Sequence, residues 1–180
     1  AVLEADKVSK EAEPLYRIRQ GMVSEEADII YHNPRNGLSE GAVEGRLVFS
    51  LVAASAARRE GEKAILLVDN PSDKENLIAA IEFNNIDGFI ALFGNYEMHL
   101  ARLARDRRIP GIALLGGDGV RLENRFKAGE VLLDEGARIV IDGNTGYLLV
   151  PKTEETLLEV REYEFAPLQV ILDEVVEYIG

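Results

Sequence analysis

Residues 64–115 of the chain read AILLVDNPSDKENLIAAIEFNNIDGFIALFGNYEMHLARLARDRRIPGIALL. This stretch contains three short apolar runs, Ala64–Val68, Gly88–Phe93 and Gly111–Leu115, and the two segments between them have apolar residues at helical spacing. Strands that are apolar on both faces and alternate with helices are typical of a parallel sheet covered on both sides. The sequence therefore predicts an α/β domain with a central, mainly parallel sheet flanked by helices.

The two predicted helices of this stretch run from Ser72 to Asn84 and from Glu97 to Arg108. Ser72 is an N-cap candidate with Glu75 at the capping-box position. The second helix has to end before Pro110, which lacks a backbone N–H and restricts the residue before it.

The flanking sequence predicts further strands and helices. A helix before residue 64 stops at Gly61, a residue typical of helix ends. Asp142–Gly146 (DGNTG) predicts a hairpin turn, because Gly and Asn tolerate positive φ. The remaining predicted strands are Leu15–Met22, Ala27–His32, Glu44–Phe49, Val131–Asp134, Arg138–Ile141 and Tyr147–Val150. The remaining predicted helices are Leu51–Glu60, Thr153–Tyr163, one that begins at Pro167, and a short helix or loose leader over residues 1–13.

A dense turn cluster at Asn33–Gly37 indicates a boundary. We therefore expect an N-terminal extension with strands over residues 1–36, a domain over residues 37–151 and a C-terminal helical segment over residues 152–180. A chain of 180 residues is long enough for one domain with appendages.

Composition excludes several classes of function. The formal net charge of −12 argues against a general nucleic-acid binder, which needs a basic surface. With no cysteine and two histidines, the chain offers no thiolate zinc site and little material for a histidine-rich metal centre, so no metal site is predicted. No apolar run approaches the roughly 20 residues that span a membrane, so the expected location is cytoplasmic.

The strongest candidate for chemistry is His99, which follows the second apolar strand near the start of the next helix. Functional groups gather beyond the carboxyl ends of parallel strands, a helix N-terminus stabilises negative charge, and neutral imidazole is a nucleophile near pH 7. Four arginines follow, Arg102, Arg105, Arg107 and Arg108, and Arg102 shares a helix face with His99. A surface or capping histidine beside a solvated arginine face is the alternative interpretation.

Two other features have weaker support. Gly116–Gly119 (GGDG) could cradle an anion through its backbone N–H groups, but it lacks the Lys-Ser/Thr of a phosphate-binding loop and fits a turn better. His32 lies at a predicted strand end without supporting residues, so we interpret it as structural.

Four segments together resemble the mobile phosphohistidine domain shared by pyruvate phosphate dikinase, phosphoenolpyruvate synthase and enzyme I of the sugar phosphotransferase system. GLSEGAVEGRLVF (residues 37–49) is similar to the opening G-x-x-x-S-P-G-x-A-x-G-x-V of that family. AARREGEKAILLV (56–68) resembles the segment that leads into the first parallel strand. GEVLLDEGARIVIDGNTGYLLVP (129–151) resembles the closing hairpins. The resemblance covers residues 37–151.

The remaining segment, GNYEMHLARLARDRRIPGI (residues 94–112), is similar to the family's G-G-x-T-S-H-x-A-x-x-A-R-x-x-x-I-P. From His99 onward the register holds, since Ala104-Arg105 falls on the A-R pair and Ile109-Pro110 falls on the I-P pair. His99 thus corresponds to the family's phosphoryl-carrying histidine.

The resemblance implies a swivelling β/β/α domain in which His99 accepts a phosphoryl group at one active site and delivers it to another. It also implies that Gly94, Asn95, Arg102 and Arg105 support the phosphoryl group. Mg²⁺ with ATP or phosphoenolpyruvate belongs, by the same resemblance, to partner domains that bind nucleotide and phosphoenolpyruvate or pyruvate. This chain itself then binds no cofactor, and turnover requires those partners.

The sequence also departs from the family pattern. Residues 94–99 read GNYEMH, so that the second Gly, the Thr and the Ser of G-G-x-T-S-H are absent. Glu97 would place a carboxylate where the family has a hydroxyl. A degenerate, non-catalytic regulatory or interaction module of the same fold is therefore the alternative. In such a module the apolar stripe from Pro167 to Ile179 would dock on a neighbouring domain or on a second copy of the chain, although such a stripe more commonly packs on its own core.

Overall fold

A computed structural model of the chain describes residues 27–93 and 98–152, with the backbone alone for residues 71, 98 and 99. The described residues form eleven strands and three α-helices. The strands are β1 (Ala27–His32), β2 (Gly37–Ser39), β3 (Ala42–Val48), β4 (Ala64–Val68), β5 (Gly88–Ala91), β6 (Gly111–Ala113), β7 (Gly119–Arg121), β8 (Arg125–Ala128), β9 (Val131–Asp134), β10 (Arg138–Asp142) and β11 (Tyr147–Pro151). The helices are α1 (Leu51–Arg59), α2 (Lys74–Glu82) and α3 (Met98–Asp106), and short 3-10 helices lie at Pro34–Asn36 and Pro71–Asp73.

Eight strands form one sheet in the order β1-β11-β10-β3-β4-β5-β6-β2. The four strands from β3 to β6 run parallel and follow one another in chain order. On one side β10 pairs antiparallel with both β3 and β11, and on the other side β2 pairs antiparallel with β6. The predicted α/β class with a mainly parallel central region is confirmed. The strands β7, β8 and β9 form a separate antiparallel sheet.

All three described helices lie on one face of the large sheet. From β3 to β6, each new strand lies next to the previous one in the same direction across the sheet. Right-handed crossover connections between such strands place every connecting helix on the same face. The core on that face joins strand residues such as Leu66 and Phe89 to helix residues such as Leu77 and Leu100. The other face is covered by the small sheet, which contributes the buried ring of Phe126. Both faces are covered as predicted, but helices flank only one of them, and the layers run sheet, sheet, helices.

The start of helix α2 differs from the prediction. Ser72 is not the N-cap: its backbone N–H donates to Asn70 Oδ1 at 3.0 Å, and Pro71–Asp73 forms a 3-10 turn. Asp73 is the N-cap, and it makes no side-chain capping bond. The Asn70 side chain offers the backbone an Asx turn that competes with the first turn of the α-helix.

Some predicted elements cannot be compared with the structure, and some observed ones were not predicted. The strands β2, β7 and β8 have three or four residues each, too few for a period-two pattern to stand out. The strand predicted at Ala27–His32 is confirmed and lies beside β11. Four predictions lie outside the described residues: the helix or leader within 1–13, the strand Leu15–Met22, the helix Thr153–Tyr163 and the helix from Pro167.

The contacts of the chain group residues 29–150 into one unit, and residues 1–28 with 151–180 into another. Every helix and nearly every strand described above belongs to the first unit. Within the described part of the chain, no helix is both long enough and apolar enough to cross a membrane.

Each of the three described helices ends in the same hydrogen-bonded motif. A residue with positive φ follows the helix, namely Gly61 (φ 83°), Asn84 (φ 52°) or Arg108 (φ 57°). The N–H of that residue bonds to the carbonyl three positions back, and the next N–H bonds to the carbonyl five positions back. This is the Schellman pattern. The predicted stop at Gly61 is confirmed, whereas the other two ends use residues with a side chain in a conformation that favours glycine.

Candidate functional site

His99 is the second residue of helix α3, which begins a few residues after the carboxyl end of β5. The first N–H groups of a helix have no partner within it, and the helix dipole adds partial positive charge there. Leu100 and Ala104 are buried against the central sheet and hold the helix in place. The backbone at residue 99 therefore lies at a helix N-terminus, where an anion is stabilised.

The same edge of the sheet carries the starts of α1 and α2, because each helix follows the carboxyl end of a parallel strand. Ser50 caps α1 by accepting a hydrogen bond from the Ala53 N–H at 3.1 Å. A cavity of about 270 Å³ lies at this edge, and its lining includes Asp69, Asp73 and the exposed Val52. The positive ends of three helix dipoles thus point toward the edge where α3 begins. The carboxylates of Asp69 and Asp73 lie near the starts of α1 and α2.

The predicted supporting arginines differ in their distance from His99. Along the axis of α3, Arg102 lies about 4.5 Å beyond residue 99 and Arg105 about 9 Å beyond it, at 1.5 Å per residue. Both side chains are exposed. The Arg105 Nε donates to the Ala101 carbonyl at 3.2 Å, and the side chain lines a groove with Asn144 at the opposite edge of the sheet. The structure thus keeps Arg102 within one turn of His99 and separates Arg105 from it by nearly two turns.

The segments that open and close the region of resemblance meet at the amino ends of the parallel strands. The Gly41 N–H donates to Asn144 Oδ1 at 3.0 Å, and the Gly143 N–H donates to the Gly41 carbonyl at 2.7 Å. A β-carbon on Gly143 would lie 1.6 Å from the Ser39 carbonyl oxygen, so that this approach requires glycine. Asp142 is buried and accepts a hydrogen bond from the Asn144 N–H at 3.0 Å, which stabilises the predicted hairpin turn.

A polar contact that was not predicted from the sequence joins β1 to the Gly116–Gly119 loop. The Tyr31 hydroxyl donates to Asp118 Oδ2 at 3.0 Å and accepts from Asn36 Nδ2 at 2.9 Å. Burial, and secondly the hydrogen bond to Asp118, raise the pKa of Tyr31 above its ordinary value. The loop turns at Gly116 and Gly117, which have positive φ, and places the Asp118 carboxylate next to the Tyr31 hydroxyl. These contacts favour the interpretation of the loop as a turn.

The other predicted residues are distributed as follows. Gly94, Asn95 and Glu97 lie outside the described residues. The ring of His32 stacks on Tyr147 with 3.8 Å between centroids and 10° between planes, which agrees with a structural role. Within residues 27–93 and 98–152, no three His, Asp or Glu side chains come together in a way that could hold a metal ion.

Comparison with known proteins gives one informative similarity. A stretch of 116 residues is 33% identical to "Pyruvate, phosphate dikinase" from Rhizobium meliloti (strain 1021). The chain is similar to part of that enzyme. The match covers 62% of this chain but 12% of the dikinase, and no family model matches the chain. The dikinase is one of the enzymes whose mobile domain the sequence resembles, so that the similarity agrees with a relationship to phosphoenolpyruvate-utilising enzymes without identifying the domain.

Proposed function

We propose that this chain is a phosphoryl-carrier domain or subunit of a phosphoenolpyruvate-utilising phosphotransferase, with His99 as the transient phosphoryl acceptor. The observation that carries the proposal is the position of His99 at the start of α3, at the carboxyl edge of parallel strands. The similarity to a pyruvate, phosphate dikinase supports it, since that enzyme's name describes phosphoryl transfer.

The chemistry needs one imidazole nitrogen without a proton. That nitrogen of His99 attacks the phosphorus atom of the donor, and an N–P bond forms as the P–O bond to the leaving group breaks. The proton on the other ring nitrogen stays in place. The transferred group brings negative charge to the start of α3, where free N–H groups and the helix dipole stabilise it, and Arg102 adds positive charge one turn away. Delivery to the acceptor reverses these steps.

The layers of small sheet, large sheet and helices support a carrier that moves as a body, and we assign residues 37–151 to that body. Partner domains would bind nucleotide and phosphoenolpyruvate or pyruvate together with Mg²⁺. The proposal therefore assigns to this chain the transport of the phosphoryl group and not the binding of the donor.

Labelling tests the proposal directly. The chain, together with the domains or subunits that bind the donor, is incubated with labelled phosphoenolpyruvate or ATP and Mg²⁺, and acid-labile protein-bound phosphate is counted. His99→Ala should remove the label. His32→Phe is the matched control, because it replaces the only other histidine and keeps an aromatic ring against Tyr147. Label that persists in His99→Ala, or that disappears in His32→Phe alone, would contradict the assignment.

A second candidate function is favoured by Glu97-Met98, which stand where the resembled family has Thr-Ser. A carboxylate beside a phosphoryl group repels it. The same fold would then act as a non-catalytic regulatory or interaction module. Replacing Glu97 by Thr and Met98 by Ser separates the two functions: a carrier is labelled before and after the change, whereas a degenerate module is labelled only after it.

A further inference from the structure

The end of α3 that is farthest from His99 borders a groove of about 470 Å³. Strand β2, the last turn of α3 and the β10–β11 turn form it, all within residues 29–150. The groove is open to solvent and its lining is mostly polar, so that a ligand would be held by charge and hydrogen bonds rather than by apolar burial. The lining residues are Gly37, Leu38, Glu40, Arg105, Gly143 and Asn144.

Two side chains provide fixed hydrogen-bond donors in this groove. The Nε of Arg105 is bound to the Ala101 carbonyl, which anchors the guanidinium and leaves its two Nη groups as donors. No described acidic residue forms an ion pair with it. The Oδ1 of Asn144 accepts from the Gly41 N–H, so that its amide group remains a donor. A guanidinium and a carboxamide that line one groove can both donate to a phosphate or carboxylate, often with two parallel bonds from the arginine.

Three further arginines lie within three positions of the groove's lining residues along the chain, and Asp106 is the one acidic residue among residues 105–108. Arg107 and Arg108 follow Arg105, both are exposed, and neither pairs with an acidic residue of the described part of the chain. Arg35, also exposed, stands two residues before Gly37. In a protein of net charge −12, a local excess of arginine attracts anions that the rest of the surface repels.

One acidic side chain, Glu40, also lines the groove and is exposed. A carboxylate accepts hydrogen bonds and repels a bare anion, so the best ligand carries a donor beside its charge. We propose that this groove binds a small molecule in which a phosphate or carboxylate faces Arg105 and Asn144 and a hydroxyl or amino group faces Glu40. The site is separate from His99, and its occupation does not depend on phosphoryl transfer.

Binding of four simple probes to the whole chain tests the chemistry. Glycerol phosphate and lactate combine an oxyanion with a hydroxyl, inorganic phosphate has no carbon-bound donor, and glycerol has no charge. Isothermal titration should give saturable binding of glycerol phosphate or lactate, weaker binding of inorganic phosphate and none of glycerol. If glycerol phosphate binds more tightly than lactate, the groove prefers a phosphate; if lactate binds more tightly, it prefers a carboxylate. Amide NMR signals of Gly37 and Gly143 should shift on binding. The proposal would be overturned if glycerol phosphate and lactate bound no more tightly than glycerol, or if the amide NMR shifts were confined to the start of α3.

Matched variants locate the site. Arg105→Gln should weaken binding of the better probe about tenfold, the loss expected for a charge-assisted hydrogen bond. Arg59→Gln changes the net charge equally on the exposed face of α1 and should leave the affinity within about twofold. Asn144→Asp preserves the acceptor for Gly41 but adds a carboxylate, and should also weaken binding. His99→Ala should bind like the wild type. Equal losses in the two arginine variants, or loss in His99→Ala, would refute a separate site.

Discussion

Glu44 and Arg138 form a buried ion pair between β3 and β10. The Arg138 Nη2 lies 2.5 Å from Glu44 Oε1, and the two side chains are 18% and 5% exposed. Glu44 faces Val140 in the register of the strands, which places Arg138 diagonally across from it on the same face. A carboxylate buried this deeply is costly without a cation beside it, because it has lost most of its hydration.

The replacement of one partner should therefore cost more than the replacement of both. Arg138→Met leaves the Glu44 carboxylate buried without its guanidinium, and should lower the free energy of unfolding by about 3 kcal/mol. This value is the lower end of the usual range for breaking a buried pair, since Arg138 is partly exposed. The double variant Glu44→Met, Arg138→Met removes both charges and should lie within about 1 kcal/mol of the wild type. Urea denaturation near pH 7 measures both differences.

Arg46 supplies a matched control because it lies directly opposite Arg138 in the strand register. It pairs with Glu62 at 3.4 Å, but these side chains are 37% and 46% exposed. Arg46→Met should therefore cost less than about 1 kcal/mol. The reasoning is refuted if Arg138→Met costs no more than Arg46→Met, or if the double variant is as unstable as Arg138→Met alone. The denaturant slope should be unchanged throughout, so that the comparison concerns the folded state.

Three further predictions concern the backbone and the phenol described above. Arg108→Gly should raise the free energy of unfolding by about 0.5–1 kcal/mol in urea titrations, because glycine adopts positive φ without strain. Asn84→Gly should raise the free energy of unfolding by less, because Asn tolerates positive φ. A larger increase for Asn84→Gly than for Arg108→Gly would contradict the argument. The folded-state pKa of Tyr31 is raised, so its contribution to stability is complete below the unfolded value of 10.0 and is lost as the pH rises through the folded value. Tyr31→Phe should therefore show a smaller alkaline loss of stability than the wild type, and parallel curves would count against the hydrogen bond. Gly143→Ala should cost more than about 3 kcal/mol in thermal or urea unfolding, because its β-carbon would overlap the Ser39 carbonyl. An unchanged Tm would mean that this turn moves freely.

The elements with local signals could be predicted from the sequence alone. Three apolar runs bounded by Gly and Pro gave β4, β5 and β6, because a strand buried on both faces has no polar positions. The helical pattern after β5 predicted that His99 lies at a helix start. The sequence DGNTG predicted the β10–β11 turn, since positive φ requires particular residue types. The candidate carrier position therefore follows from the sequence and from the resemblance, and labelling remains its test.

Which surfaces these elements share could not be predicted from local patterns, because it depends on how the strands and helices pack. The strand order from β3 to β6 put every described helix on one face and left the other to the small sheet, because handedness acts on topology and not on local pattern. The arginines after His99 are close in sequence. Because a helix rises about 1.5 Å per residue, however, nearly two turns separate Arg105 from His99 and place it near the opposite edge of the sheet. There its side chain lines a groove together with Asn144, which lies 39 positions later in the chain. The spacing of these residues in the sequence does not predict the groove, because the groove depends on how β2 and the β10–β11 turn fold together.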